Sequence, residues 1–217
     1  MSESHEALRG AVVATARELD VAGLMPNKSG NVSCRTRGGF LITPSGVPYR
    51  LLEPGQVVQV GAEGVVQAGG GRPSSEWRMH AALYAGRPDV HAIVHTHSPR
   101  ATALACARRG IPAFHYMIAL AGGPVRCVPY ATFGSAELAA NALRGLDGRR
   151  ATLLANHGVV AVGSSLDRAS AVATEVENLA QQYLELLAAG LEPAILEEEE
   201  LARVIAKFVD YGRLDQP

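Results

Sequence analysis

His95 and His97, two residues apart, close the apolar stretch AIVHTH that begins at Ala92. In a β-strand, residues i and i+2 project from the same face with Cα atoms roughly 6.5 to 7 Å apart. Both imidazoles can therefore converge on one point, and imidazole is a good ligand for zinc and similar divalent cations. Taken alone the pair is a weak signal, because surface histidines also alternate by chance.

His157 strengthens the hypothesis of a metal site. It lies in LLANHGVV, where an apolar strand pattern breaks next to Gly158, a residue that lets other groups approach closely. A lone histidine at such a break usually has a structural role. Three histidines without cysteine partners match the pattern of catalytic zinc, in which one position stays open for substrate or water.

The other histidines are weaker candidates for ligands. His91 shares the strand face of His95, but four residues of strand span about 13 Å, so the two cannot share an ion. His80 falls on a predicted helix, where a core or surface role is more common than ligation. His115 is the remaining competitor for a role in the site.

The segment PSSEW indicates a second kind of site. A loop rich in Gly and Pro leads Ser74, Ser75 and Glu76 to the start of a predicted helix, where backbone amides and hydroxyls can bind an anion such as phosphate. On this segment alone, capping and the helix dipole are the favoured explanation of the same three residues. SGNVS and TPSG offer further exposed amides and hydroxyls, although ordinary turns have this composition too.

Alternating helices and strands are predicted to position these residues. Helices are predicted over 4–24, from about 74, over 100–108 and 137–146, from 166 onward and over 197–208. Strands are predicted over 32–35, 40–43, 56–60, 65–69, 90–97 and 125–130, with two more in ATLLANHGVVAVG that are broken at His157. The alternation by itself favours parallel βαβ units.

Composition limits the class of protein. A chain of 217 residues suits one domain spanning 1–217, and a net charge of -1 with dispersed basic residues predicts no nucleic-acid partner. The charged N-terminus and the lack of any run of roughly 18 apolar residues predict a cytoplasmic protein without a membrane partner. Three cysteines with no short spacing indicate neither a disulfide framework nor a thiolate zinc site, so histidine and carboxylate must hold any metal.

Several motifs together resemble the class II aldolase and adducin family. They are SGNVS, LITPSGVPY, PSSEWRMH, VHTHS, PAFHYMIALAGG, PYATFGS and NHGVVAVG. They stand in the family's order and at close to its intervals, from the first helix nearly to the C-terminus. The resemblance implies an α/β fold with three α/β/α layers around a central, largely antiparallel sheet.

The resemblance also implies the site. It implies one zinc ion per subunit held by His95, His97 and His157. Glu76 would bind the metal when substrate is absent and act as acid/base when substrate is present. The substrate phosphate is implied to lie among Asn31, Ser45, Gly46, Ser74 and Ser75. Lys28 departs from the family pattern at a phosphate contact, where it either adds charge or points to solvent.

Further residues are implied to act at the aldehyde end of the substrate. Tyr116 matches a family tyrosine that reaches from a neighbouring subunit and donates a proton, while Phe133 and Tyr211 match residues that line the aldehyde side. The resemblance therefore implies a homotetramer with active sites between subunits.

The activity implied is zinc-dependent retro-aldol cleavage of a small sugar phosphate, a ketose 1-phosphate such as L-fuculose 1-phosphate. The products would be glycerone phosphate and an aldehyde such as lactaldehyde. A 4-epimerase acting on sugar phosphates, a methylthioribulose-phosphate dehydratase and a non-catalytic scaffold like the adducin head are the alternatives. PSSEW, HYMIALAGG and YATFG favour the aldolase, and the histidines argue against the scaffold. The residues fix neither the aldehyde nor the choice of zinc over manganese or cobalt.

Overall fold

The computed structural model describes residues 5–61, 64–68 and 71–210, except for the side chains of 67, 68, 209 and 210. Its α-helices are α1 (His5–Val21), α2 (Trp77–Gly86), α3 (Pro99–Cys106), α4 (Ala136–Gly145), α5 (Leu166–Ala188) and α6 (Glu198–Asp210). Its strands are β1 (Asn31–Thr36), β2 (Gly39–Ile42), β3 (Val58–Gly61), β4 (Val66–Ala68), β5 (Ala92–Thr96), β6 (Arg126–Val128), β7 (Ala151–Leu154) and β8 (Gly158–Gly163).

The strands of the described residues form one eight-stranded sheet in the order β4-β3-β2-β1-β5-β8-β7-β6. Every neighbouring pair is antiparallel except β6 and β7. The largely antiparallel sheet is confirmed, and the parallel units suggested by the alternation of elements are wrong. Three residues separate β7 from β8, and so short a connection can only join antiparallel strands.

Helices cover both faces of the sheet, which confirms the three-layer α/β/α arrangement. One core joins α1, α3 and α5 to the face that carries Val32 and Val94. The second core joins α2 and α4 to the opposite face, which carries Ile93. Because side chains alternate along a strand, His95 lies on the face of Ile93, beneath α2.

The long helix α5 shows why the sequence folds as predicted. Its apolar residues recur every three or four positions and are buried against the sheet. Ser165 precedes the helix, and its hydroxyl oxygen accepts a hydrogen bond from the backbone N–H of Arg168.

The start of α2 differs from the prediction. The helix begins at Trp77 rather than near Ser74, because the backbone N–H of Ser74 donates to the carbonyl oxygen of Thr43. Ser75 and Glu76 form a turn between that contact and the helix. The amide of Ser74 is therefore used by the fold and is not a free donor at a helix N-terminus.

Candidate metal centre and active-site cleft

Four side chains from three separate segments meet at one edge of the sheet. His95 lies in β5 and His97 one residue beyond its end, His157 lies in the turn between β7 and β8, and Glu76 immediately precedes α2. One ligand atom from each of these residues lies within 4.8 Å of the other three. We call Glu76, His95, His97 and His157 the tetrad.

The rings of the tetrad surround a common point. Each pair of imidazole centroids is 4.9 Å apart, with interplanar angles of 70° to 83°. His95 Nε2 lies 3.0 Å from His97 Nε2 and 3.0 Å from Glu76 Oε2, and His157 Nε2 lies 3.3 Å from Glu76 Oε1. Bonds of about 2.0 to 2.1 Å to a tetrahedral zinc ion separate neighbouring ligand atoms by roughly 3.3 Å. The donor atoms are thus spaced as such a shell requires.

A glycine makes this approach possible. A Cβ atom at Gly158 would lie 2.4 Å from the carbonyl oxygen of Thr96 and within 3.3 Å of the rings of His95 and His97. Only a residue without a side chain fits there, so the strand break at His157 can come close to β5. This contact explains why Gly158 follows the histidine.

The tautomer of His95 is set by its surroundings. Its Nδ1 lies 2.7 Å from the carbonyl oxygen of Val159. A carbonyl only accepts, so Nδ1 carries a proton and Nε2 is directed at the tetrad. In the neutral ring that Nε2 is a lone pair facing His97 Nε2 and a carboxylate oxygen. Such a cluster of lone pairs is stable only around a positive charge, so the tetrad fits a divalent cation.

Electrostatics divide the three histidines. Burial lowers the pKa of His95, but the Glu76 carboxylate acts more strongly and raises it, so this ring must give up a proton when a cation binds. Burial raises the pKa of the Glu76 carboxyl, but His95 and then His157 act more strongly together and hold this pKa well below its usual range. Burial, followed by the charge of His95, lowers the pKa of His97 to about 3 and of His157 to about 4. Near neutral pH the carboxylate is therefore ionised and these two imidazoles are neutral, which are the forms that bind metals.

The tetrad lies at the floor of an open cleft of about 340 Å³. The lining residues are Lys28, Ser29, Gly30, Asn31, Pro44, Ser45, Gly46, Ser74, Ser75, Glu76, His97, Tyr130, Phe133, Asn156 and His157. The structure thus brings all five residues predicted at the phosphate into the cleft that ends at the tetrad. The lining combines residues with hydroxyl groups or no side chain with two aromatic side chains, Tyr130 and Phe133.

Of the other predicted residues, Tyr116 lies away from the cleft of this chain, and Tyr211 cannot be placed. Tyr116 does not line it; its side chain is 53% exposed and its ring lies near those of His115 and Phe208. Tyr211 lies outside the described residues. His115 accepts a hydrogen bond from the backbone N–H of Met117 and does not join the tetrad.

Sequence reasoning missed a polar chain behind Glu76. Asn31 Nδ2 lies 3.1 Å from Glu76 Oε2, and the other end of the Asn31 amide bonds to His80, which in turn contacts Ser33. Tyr84 closes the chain with its hydroxyl 2.8 Å from Ser33 Oγ. The signals were present, because Glu76, His80 and Tyr84 follow at intervals of four on one helix face and Asn31 and Ser33 share a strand face.

The comparison with known proteins gives the class. The family described as Class II Aldolase and Adducin N-terminal domain matches residues 10–184. The 5-methylthioribulose-1-phosphate/5-deoxyribulose-1-phosphate aldolase of Rhodospirillum rubrum is 48% identical over 213 residues, which cover 98% of this chain and 96% of that protein. The L-fuculose phosphate aldolase of Escherichia coli (strain K12) is 45% identical over 202 residues, covering 93% and 94%. A solved structure of L-fuculose 1-phosphate aldolase superposes with a TM-score of 0.91 at 39% identity and covers 96% of this chain and 98% of its own.

The chain therefore belongs to the class II aldolase and adducin family. Its relatives are named aldolases, and the chain is an enzyme of that class, a carbon–carbon lyase. Among the described residues, none of the helices combines the length and the apolar character that crossing a membrane requires.

Proposed function

We propose that the protein is a metal-dependent aldolase that cleaves a ketose 1-phosphate to glycerone phosphate and a small aldehyde. The observation that carries the proposal is the tetrad, three members of which line a cleft together with hydroxyl, glycine and aromatic residues. A non-catalytic scaffold would not require three imidazoles and a carboxylate to converge on one point.

The tetrad would hold one zinc ion per chain through His95, His97 and His157, with Glu76 as the fourth ligand when substrate is absent. A bound divalent cation supplies a Lewis acid for the negative charge that develops on the C2 oxygen when the C3–C4 bond breaks. The backbone carbonyl of Val159 keeps His95 in the ligating tautomer.

Glu76 is assigned the proton transfer at C3. Its Oε2 is held by Asn31, while Oε1 has no hydrogen-bond partner among the described residues and is buried on the side of His157. With substrate bound, Oε1 returns a proton to C3 of the enediolate and removes it in the synthetic direction. A carboxylate with one oxygen fixed and the other free suits this exchange.

We assign the phosphate to the part of the cleft lined by Ser45, Gly46, Ser74 and Ser75. Gly46 has a φ of +78° and no atom within 4 Å of where a Cβ would stand, so its backbone is open to a ligand. Lys28 lines the same cleft and would add a positive charge. The side-chain amide of Asn31 is occupied at both ends, so we assign it to Glu76 rather than to the phosphate.

We assign the aldehyde end of the substrate to the two aromatic residues of the cleft lining, Tyr130 and Phe133. Phe133 is 65% exposed and Tyr130 is 53% exposed, although both line the cleft. The ketose phosphates in the relatives' names carry a methyl or methylthio group at the end remote from the phosphate. An apolar tail of this kind would cover these rings, so we propose a deoxy or methylthio ketose 1-phosphate such as L-fuculose 1-phosphate or 5-deoxyribulose 1-phosphate.

The site is completed by a neighbouring subunit in this proposal. Tyr116 of that subunit would take up the proton of the C4 hydroxyl during cleavage and return it to the aldehyde oxygen in the synthetic direction. Tyr211 would line the aldehyde side. The exposure of Tyr116 on the surface of this chain supports such a role. A homotetramer is the assembly we propose.

The test uses zinc-loaded protein and a panel of ketose 1-phosphates and 5-phosphates. Release of glycerone phosphate is followed by coupling it to an NADH-dependent reductase. We expect release from the deoxy and methylthio 1-phosphates. Conversion of a pentose 5-phosphate to its isomer without release would instead identify an epimerase, and loss of water would identify a dehydratase. A protein that purifies without zinc and cleaves nothing would be a scaffold.

A further inference from the structure

A continuous chain of hydrogen bonds runs from Glu76 into the interior. Asn31 Oδ1 lies 2.5 Å from His80 Nε2, His80 Nδ1 lies 2.6 Å from Ser33 Oγ, and that oxygen lies 2.8 Å from Tyr84 OH. Together with the 3.1 Å contact between Asn31 Nδ2 and Glu76 Oε2, these bonds link four buried side chains to one carboxylate oxygen. We call Asn31, His80, Ser33 and Tyr84 the polar chain.

The direction of every bond in the polar chain follows from donor chemistry. An ionised carboxylate only accepts, so Asn31 presents its NH₂ to Glu76 and its oxygen to His80. The imidazole must then carry its proton on Nε2, which leaves Nδ1 as an acceptor for the hydroxyl of Ser33. Tyr84 completes the chain by donating to Ser33 Oγ. Each bond in the polar chain therefore has one defined donor and one defined acceptor.

Burial keeps this arrangement in place. The side chains of His80 and Ser33 belong to fully buried residues, and Asn31 and Tyr84 are 2% and 6% exposed. Burial, followed by the charge of His95, lowers the pKa of His80 to about 3. The ring is neutral near neutral pH and has a single N–H to give. Turning either the Asn31 amide or the ring would leave a buried donor or acceptor without a partner.

We propose that His80 is a positioning residue of the reaction: its Nε2–H fixes the Asn31 amide, which holds Glu76 Oε2 and leaves Oε1 as the proton-transfer atom. The inference rests on the proposed aldolase function. His80 lies 49 positions from Asn31 in the sequence and contacts no ligand atom of the tetrad. It acts only through Asn31.

His80→Gln and His80→Asn differ only in the length of the side chain that carries the amide, so they form a matched pair. The amide of Gln is long enough to donate from about the position of Nε2, so His80→Gln keeps the bond to Asn31. The shorter amide of His80→Asn reaches only the position of Nδ1 and contacts Ser33 alone. Both variants place a neutral amide in the same buried space, so a purely structural effect lowers the melting temperature and activity of both.

The readouts separate positioning from folding. Exchange of the C3 proton of glycerone phosphate for deuterium, followed by NMR without aldehyde, measures proton transfer to and from Glu76. For His80→Asn we expect kcat for cleavage and this exchange rate to fall by roughly 10- to 100-fold. This is the usual effect of losing a residue that helps to orient a metal-ligating side chain. KM and the zinc content should stay within twofold, and His80→Gln should retain at least about a third of both rates.

The tautomer itself is measured in the native enzyme. Long-range ¹H–¹⁵N correlations on histidine-labelled protein distinguish a proton on Nε2 from one on Nδ1, and the signal of His80 is the one lost in His80→Gln. We expect the proton on Nε2. A proton on Nδ1, or equal exchange rates in the Asn and Gln variants, overturns the inference.

Ser33→Ala keeps the inference testable if His80→Asn does not fold. It removes the donor to Nδ1, so we expect a smaller loss of exchange rate and a mixed tautomer signal; a pure Nε2–H signal with an unchanged rate contradicts the inference. If the native enzyme neither cleaves a ketose phosphate nor exchanges the glycerone phosphate proton, the proposed function fails instead. The two failures are therefore distinguishable.

Discussion

Three imidazoles lie in front of the Glu76 carboxylate, and a chain of neutral groups lies behind it. The front is formed by His95, His97 and His157, whose Nε2 atoms converge on one another and on the carboxylate. The back is the polar chain, in which every donor meets an acceptor. The front is thus incomplete without a cation, whereas the back is complete in the protein alone.

The difference indicates a division of labour around one side chain. The three imidazoles would hold a cation without Glu76. The groups behind cannot change partners without leaving a buried polar atom unpaired, a loss of about 1 to 3 kcal/mol. In the proposed mechanism Glu76 would therefore move one oxygen while the other stays bonded to Asn31.

The largest effect is expected from His95→Ala. This substitution removes a fully buried nitrogen from the front, so bound zinc and turnover should be lost together. Zinc content by atomic emission and release of glycerone phosphate measure both. His91→Ala is the control. His91 lies just before β5, four residues before His95, but it is exposed and does not belong to the tetrad. A His95→Ala enzyme with full zinc and full activity would contradict the ligand set.

Glu76→Gln should separate metal binding by the three imidazoles from proton transfer at C3. Three imidazoles remain, so zinc should still bind, while an amide cannot take up the proton at C3. The expected loss in kcat is about 10²- to 10⁴-fold, the usual contribution of general acid–base catalysis. Proton exchange of glycerone phosphate should fall with it. Exchange at the native rate would remove Glu76 from the role proposed here.

The front of the site was predictable because its signals are local. His95 and His97 follow the period of a strand, and a strand break beside Gly158 singles out His157. The antiparallel arrangement of the sheet was predicted from the family resemblance, whereas the alternation of helices and strands wrongly predicted parallel strands. The role proposed for Glu76 also comes from the resemblance. The roles of the individual residues stay predictions, including that of Tyr116, whose partner atoms would lie on another chain.

The back of the site could not be predicted in the same way. Spacing puts His80 and Tyr84 on one helix face and Asn31 and Ser33 on one strand face, but it does not show that the two faces meet. His80 bonds to Asn31 and Ser33 across 49 and 47 positions of sequence. A histidine on a helix more often has an ordinary core role, so it was set aside as a ligand. The start of α2 was misplaced for the same reason, since a distant carbonyl, that of Thr43, takes the amide of Ser74.

Acid should destabilise the back of the site through His80. Its pKa is about 3 in the folded protein and about 6.5 in the unfolded chain, so the unfolded state takes up the proton first. The stability is fully present above pH 6.5 and is lost progressively as the pH falls toward 3. Between about pH 5.5 and 4.5 the contribution amounts to about 1.4 kcal/mol per pH unit.

Urea unfolding of the metal-free protein measures this dependence. His80→Gln has no titrating group at this position, so its free energy of unfolding should fall less steeply over the same interval. The difference between the two slopes isolates the contribution of His80 from those of the other titrating groups. Identical slopes would mean that the buried ring is not held neutral.

The smallest effect concerns how α3 supports the front. Glu177 on α5 accepts hydrogen bonds from the backbone N–H groups of Arg100 and Ala101, at 2.9 Å each, so a distant carboxylate caps the helix that follows His97. Glu177→Ala should lower the free energy of unfolding by about 1 kcal/mol, as for the loss of a helix cap. Zinc content should remain unchanged, because β5 and the Val159 carbonyl orient His95 independently of α3. Glu185→Ala, an exposed change on the same helix, is the control. If zinc affinity falls with stability, then α3 holds His97 in place and the front depends on this cap as the back depends on His80.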